Sequence, residues 1–200
     1  MTSLYFVRHA EPDHFWEDDR TRPLTEAGKK DSGEVTAFLR NVNVDSFISS
    51  PYVRSYDTIK GSAAEKGLPI STDERLVERR NGPHSNVYGM YQKRWGDFSF
   101  VEEGVESIGT VQKRNIEAVF DILKNHEGES VVVGTHGTAL STIQNYFDPS
   151  YGCDDFLRMI DFMPYILRMD FEGTKLIRKE ELLIIEKEYT GGQRPDKKTT

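Results

Sequence analysis

Cysteine is almost missing from this chain: Cys153 is the only one in 200 residues, so no disulfide can form within it. That scarcity fits a reducing compartment, and the lone thiol, with no activating neighbour, reads as a buried bystander. Long apolar runs are missing as well. No stretch approaches the roughly 18 apolar residues of a membrane helix, and no basic segment followed by an apolar region opens the chain. The expectation is a cytoplasmic protein that makes no use of a membrane. Positive charge is also in deficit, with 26 Lys and Arg against 33 Asp and Glu and a net charge of −7. Such a balance argues against general nucleic-acid binding, which leaves a basic footprint. An anionic small molecule stays compatible with it, provided that arginines cluster locally and outweigh the global charge at short range.

What is present is enough for one well-buried core, and the length favours a single domain over residues 1–190. Residues 191–200, rich in Gly, Lys and Thr without apolar anchors, read as a disordered tail. Strands and helices alternate. Ser3 to Val7 predicts a strand, Thr25 to Leu39 an amphipathic helix entered through Pro23, and Val44 to Ser49 a second strand. Ser50-Pro51 sets a capping hydroxyl before a proline, so a helix is expected from Pro51 towards Lys66. Pro69 to Thr72 predicts a short strand, whereas Glu74 to Phe100 shows no clear period. Apolar residues from Ile108 to Leu123 share a helical face that ends near Asn125 to Gly128. Ser130 to Thr135 is a β-branched run typical of a strand buried on both faces, and a helix is expected from Gly137 to Tyr146. Tyr165 to Phe171 and Lys175 to Leu183, separated by Glu172-Gly173-Thr174, predict a closing hairpin. This alternation is the pattern of an α/β layered fold with a largely parallel sheet.

Two strand ends repeat one design. Arg8-His9-Ala10 follows Leu4-Tyr5-Phe6-Val7, and His136 follows Val131-Val132-Val133-Gly134-Thr135 before Gly137 opens a helix. Ligands of parallel α/β sheets bind outside the carboxyl ends of strands, so two distant histidines at such ends can converge on one site. A third strand end supplies Ser49-Ser50-Pro51 and then Arg54, one turn into a helix whose amino terminus attracts anions. Arginine carries a permanent charge and a donor fork matched to phosphate oxygens, and a neutral imidazole is a competent nucleophile. Together the three strand ends outline a phosphate-sized cradle.

These motifs resemble the histidine phosphatase superfamily, which includes the cofactor-dependent phosphoglycerate mutases and many phosphatases. Leu4 to Glu11 is similar to the family's opening strand and Arg-His-Gly motif, with Ala10 in place of the usual glycine. Arg22-Pro23-Leu24-Thr25-Glu26-Ala27-Gly28 resembles its entry to the first helix, and Ser50 to Thr58 its Ser-Pro-x-x-Arg-x-x-x-Thr element. Leu76-Val77-Glu78 with Gly82, Gly104-Val105-Glu106-Ser107, and Gly134-Thr135-His136-Gly137 complete the series in the family's order. The resemblance implies a three-layer α/β/α sandwich with a largely parallel central sheet, in which residues 79–103 form an insertion covering the pocket. It implies His9 as nucleophile, Arg8, Arg54 and His136 as holders of the phosphoryl oxygens, and Glu78 as the acid that protonates the leaving group and then activates water. Glu11, Glu106, Ser107 and Gly137 join Arg8, Arg54 and His136 as expected substrate contacts. Neither a metal nor another cofactor is required.

Structural rivals stand beside these roles. Arg54 can pair with Asp57 on its own helix, Glu78 with Arg79 or Arg80, and Glu106 and Ser107 are also a good start for a helix. His14 lies one residue out of register with a phosphate-contacting Asn of many members, and His84 has no assigned role. Adding an Ala10 methyl to a position usually held by glycine raises the question of crowding or restricted backbone angles. The aromatics from Tyr88 to Phe100 are candidates for contacting an organic leaving group or packing a satellite core. Glu78-Arg79 followed by Gly82 resembles the mutases, but their following Gly-Leu-Asn-Lys is missing at the expected spacing and the chain is short for a mutase. The expectation is therefore a phosphatase acting on small phosphomonoesters, with a mutase or a non-catalytic phosphate-binding scaffold as alternatives. Nothing in the sequence names the oligomeric state.

Overall fold

A computed structural model describes residues 1–81, 87–102 and 104–190. The expected tail 191–200, Gly82 and His84 lie outside the described residues. Six strands form one sheet in the order β3-β2-β4-β1-β5-β6. Its centre is β1 (Thr2–Arg8), whose seven residues are all buried. On one side β1 pairs in parallel with β4 (Ser130–Thr135), which continues in parallel to β2 (Ser46–Ser49) and β3 (Ile70–Thr72). On the other side β5 (Phe162–Glu172) runs antiparallel to β1, and β6 (Lys175–Glu186) antiparallel to β5. The sheet is mixed: β5 alone runs against the other five strands, so it is largely but not purely parallel. Gly173, at a φ of 58°, makes the tight reversal of the closing hairpin that the sequence predicts, and β5 extends three residues further towards the amino end than expected.

Side-chain alternation along the strands divides the core into two layers. Leu4 and Phe6 of β1 with Val131 and Val133 of β4 point to one face, where they meet α4 (Ile108–Asn125) through Ile116, Val119 and Leu123 and α5 (Gly137–Phe147) through Leu140 and Ile143. Tyr5, Val7 and Val132 point to the other face, against Val35 and Leu39 of α1 (Glu26–Arg40) and Ile59 and Ala63 of α2 (Val53–Lys66). Thr25 caps α1 by accepting from the Gly28 N–H at 2.9 Å, and Ser107 caps α4 by accepting from Thr110 at 3.0 Å. Each such cap contributes about 1 kcal/mol. Helix α2 begins two residues later than expected, so Tyr52 stands at its N-cap without a side-chain cap, and the Ser50 hydroxyl accepts the Tyr52 N–H at 3.3 Å.

Two short helices have no counterpart in the sequence reading. Tyr88–Gly96 forms α3, and Cys153–Met159 forms α6. They pack together through a third apolar cluster built from Tyr91, Tyr151, Phe156 and Ile160, with Trp95 and Tyr189 against it. Among the described residues no helix is long and apolar enough to cross a membrane.

Candidate active site

The sheet register places the site. Arg8 lies opposite Thr135, so β1 and β4 end level and the residues that follow, His9 and His136, come together with ring centroids 5.2 Å apart. Ser49 lies opposite Gly134, which brings Ser50 against His136: the serine hydroxyl and His136 Nε2 are 2.8 Å apart.

His9 is held in a defined orientation. Its Nδ1 lies 2.8 Å from the Ala10 carbonyl, which can only accept, so Nδ1 carries the proton. Its Nε2 accepts from Arg54 Nε at 3.3 Å, so the lone pair sits on Nε2. Burial first, and then the Arg54 and Arg8 charges, hold His9 well below the ordinary histidine range, and the imidazole is neutral at pH 7. His136 is lowered in the same way by burial, Arg54 and His9. His136 is wholly enclosed and stands behind His9 rather than at the cavity wall.

The arginines supply charge. Arg54 donates through Nη1 to the Asp19 carbonyl at 2.5 Å, lies 3.1 Å from the Asp19 carboxylate, and stacks over Tyr52. Its partner is therefore Asp19 from the loop before α1, not Asp57. Arg8 is anchored through Nη1 to the carbonyls of Met159 at 2.5 Å and Phe162 at 3.0 Å, whereas its Nε is buried with no hydrogen-bond partner. Among the described residues Arg8 forms no ion pair, and burial pushes its pKa down to about 10, still protonated at neutral pH. A buried cation lacking a carboxylate partner is costly, and an arriving anion offsets that cost. Gly137 packs against this guanidinium, where a Cβ would stand in ordinary contact at 3.4 Å from Arg8 Nε.

Glu78 faces these cations from the opposite side. Its Oε1 accepts from the backbone N–H groups of Arg79 at 2.7 Å and Ala139 at 3.3 Å, and Oε2 accepts from Thr138 at 2.9 Å. The carboxyl thus reaches across to the amino terminus of α5, the helix that His136 opens, and does not pair with the Arg79 or Arg80 guanidinium as the structural rival supposed. Ala10 fits without strain: no described non-glycine residue has positive φ, and the Ala10 N–H donates to Thr58 Oγ1 at 3.0 Å.

These groups border a cavity of about 390 Å³. Arg8, His9, Arg54, Glu78 and Gly137 line it, together with Arg22, which stands in the helix-entry motif without an assigned role, and Asp19, which no motif singled out. The lining also includes Arg79, Tyr91, Arg94 and Trp95, with Phe156, Ile160, Met163 and Tyr189. His14 also borders the cavity. Its Nε2 is buried with no partner, its ring meets Tyr189 edge-on at 5.4 Å, and burial with the nearby arginines pushes its pKa down to about 4. Besides His136, three expected contacts are placed elsewhere. Glu11 points to Lys187 at 3.8 Å, Ser107 caps α4, and Glu106 is held by the Arg114 fork, none of them at the cavity wall. Among the described residues no cluster of three His, Cys, Asp or Glu is placed to hold a metal ion.

The site can be set beside known proteins. Residues 4–160 match the family model of the histidine phosphatase superfamily, branch 1. Phosphoserine phosphatase 1 of Hydrogenobacter thermophilus is 30% identical over 176 residues, covering 78% of this chain and 83% of the relative. The 2,3-bisphosphoglycerate-dependent phosphoglycerate mutase of Thermoplasma acidophilum is 28% identical over 130 residues, 62% of each chain. The solved structure of Bacillus stearothermophilus YhfR shares the fold with a TM-score of 0.73 at 23% identity, covering 97% of this chain and 98% of that one.

Proposed function

This chain belongs to the histidine phosphatase superfamily, branch 1, and on that premise we propose that it hydrolyses small phosphomonoesters through a phosphohistidine on His9. The observation that carries the proposal is the orientation of His9: a neutral imidazole whose Nε2 lone pair meets Arg54 at the cavity, with Nδ1–H held by the Ala10 carbonyl. In the first step Nε2 attacks phosphorus, the ester P–O bond breaks, and the leaving alkoxide takes a proton from the Glu78 carboxyl. In the second step Glu78 takes a proton from water, the water oxygen attacks phosphorus, and the P–N bond breaks to return the lone pair to Nε2. Glu78 Oε2 accepts one N–H and keeps a second lone pair for that proton. Arg8 and Arg54 offset the charge that spreads over the phosphoryl oxygens. His136 supports the nucleophile from behind and, through Ser50, ties three strand ends together.

On this reading the described residues of the segment 79–103 that line the cavity belong to a cover of the pocket, and residues 1–190 act as one domain. Arg79, Tyr91, Arg94 and Trp95 on the cavity wall support that division. The mutase reading draws on the Thermoplasma acidophilum relative. A mutase must shield its phosphohistidine from water and retain the released ester, whereas a phosphatase only has to admit water. A panel of phosphomonoesters, phosphoserine among them, assayed with chelator present and beside a 3-phosphoglycerate isomerisation assay, separates the readings. Phosphate release that is abolished by His9→Ala is expected; isomerisation without net phosphate release would establish the mutase, and inert phosphomonoesters bound at the site would favour the scaffold.

A further inference from the structure

Resting on the reading of Glu78 as acid and base, we propose that Arg114 of α4 is the positioning residue that sets the reach of Glu78. Glu78 follows the one-turn 3-10 helix Glu74–Leu76, and residues 78–81 belong to no helix or strand. A segment of this kind has no ladder to fix it, so its backbone groups need other partners. Arg114 supplies them. Its Nη1 donates to the carbonyls of Arg75 at 2.7 Å and Val77 at 2.6 Å, and its Nη2 donates to the carbonyl of Glu78 itself at 3.1 Å. The remaining donors, Nε and the second N–H of Nη2, form a fork on the Glu106 carboxylate, both at 3.0 Å. A guanidinium has five N–H donors, and all five are used here.

Glu106 completes the clamp from the far side. Its Oε2 accepts the Arg80 N–H at 3.1 Å, and its backbone carbonyl accepts from Arg79 Nη1 at 3.2 Å. Backbone on both sides of Glu78 is therefore fixed to a single ion pair that is itself mostly buried. Neither partner borders the cavity, so any effect on chemistry passes through Glu78. Lysine cannot replace the arginine: an ammonium offers three donors from one point and cannot span a carboxylate fork and three carbonyls. This assignment also accounts for Glu106, which the motif reading placed at the substrate.

The test compares Arg114→Lys, Arg114→Gln and Glu106→Gln with Glu78→Gln, measuring kcat/KM for p-nitrophenyl phosphate and for glycerol phosphate. A nitrophenolate leaves without needing a proton, whereas an alkoxide needs one, so loss of acid catalysis falls selectively on the alkyl ester. Expected is a selective loss on glycerol phosphate of roughly ten- to hundredfold in both Arg114 variants, smaller than in Glu78→Gln, with the p-nitrophenyl phosphate value little changed. Equal losses on both substrates, or none, would overturn the positioning role while leaving the Glu78 reading intact. If instead Glu78→Gln shows no selective loss, the acid assignment fails and takes the clamp's role with it. Should the Arg114 variants not fold, Glu106→Gln decides, because it keeps the side chain's size but turns one of the two acceptor oxygens into an amide donor that faces an N–H of the clamp; unchanged leaving-group preference there would contradict the proposal.

Discussion

The cavity has two unlike halves. One is the strand-end half, where His9, Arg8 and Arg54 sit on or beside the sheet and are fixed by backbone carbonyls and by Asp19. The other is the covering half, where Tyr91 and Trp95 of α3 pack against Phe156 of α6 and the final described segment brings in Tyr189. The first half gathers buried positive charge and a lone pair; the second gathers aromatic surface with Arg79 and Arg94 among it. On the proposed reading, the difference assigns affinity for the phosphoryl group and preference for the rest of the substrate to separate parts of the chain. Glu78 stands at the boundary, anchored to α5 on one side and continuous with the cover on the other.

Substitutions can break this division, the strand-end half first. His9→Ala is expected to lower kcat by roughly 10⁴-fold or more on every phosphomonoester alike, because it removes the proposed nucleophile. Steady-state rates across a substrate panel check this, and a loss confined to some substrates would merge the two halves. Glu78→Gln comes next, with a loss of about 10²- to 10⁴-fold on alkyl esters and much less on activated aryl esters.

Stability carries the third prediction. His9 and His136 are neutral in the fold and hard to protonate there, whereas in the unfolded chain they take protons near the ordinary histidine value of 6.5. Below that pH the unfolded state binds more protons, so stability is present above it and declines as pH falls. The slope reaches about 1.4 kcal/mol per pH unit for each histidine. Urea unfolding midpoints between pH 7.5 and about 5 measure it, and a flat profile would contradict the neutral, buried pair.

Trp95→Ala tests the covering half. It is expected to raise KM by roughly tenfold for esters with bulky leaving groups, the equivalent of about 1.4 kcal/mol, while leaving kcat near its original value. A large fall in kcat on all substrates would show that the cover is part of the chemistry. The smallest effect is expected from Ala10→Gly. Loss of a buried methyl at a position with ordinary backbone angles costs about 1 kcal/mol of stability and leaves activity intact, measurable by thermal melting beside an assay.

The same division governs what could be read from the amino acids alone. The strand-end half is written locally: a β-branched run ends, a histidine follows, and Gly137 opens a helix, so His9, His136 and Arg54 were placed by punctuation. The covering half is assembled from pieces distant in sequence. Helix α3 is rich in aromatics and lacks a side-chain cap, and α6 has only seven residues, so neither shows a helical period. Asp19 carries no motif and becomes visible only when the loop before α1 folds onto Arg54. Glu106 and Ser107 were legible as a helix start or as site residues with equal force; the Arg114 fork decides for the scaffold, and that partner lies eight residues further on in α4.

The central claim is a covalent bond between phosphorus and His9 Nε2. Rapid acid-free quenching of the protein with a ³²P-labelled phosphomonoester, followed by peptide mapping, tests it most directly. The account predicts one acid-labile, base-stable label on His9, absent from His9→Ala. Turnover without any such label, or a label that survives the loss of His9, would contradict it.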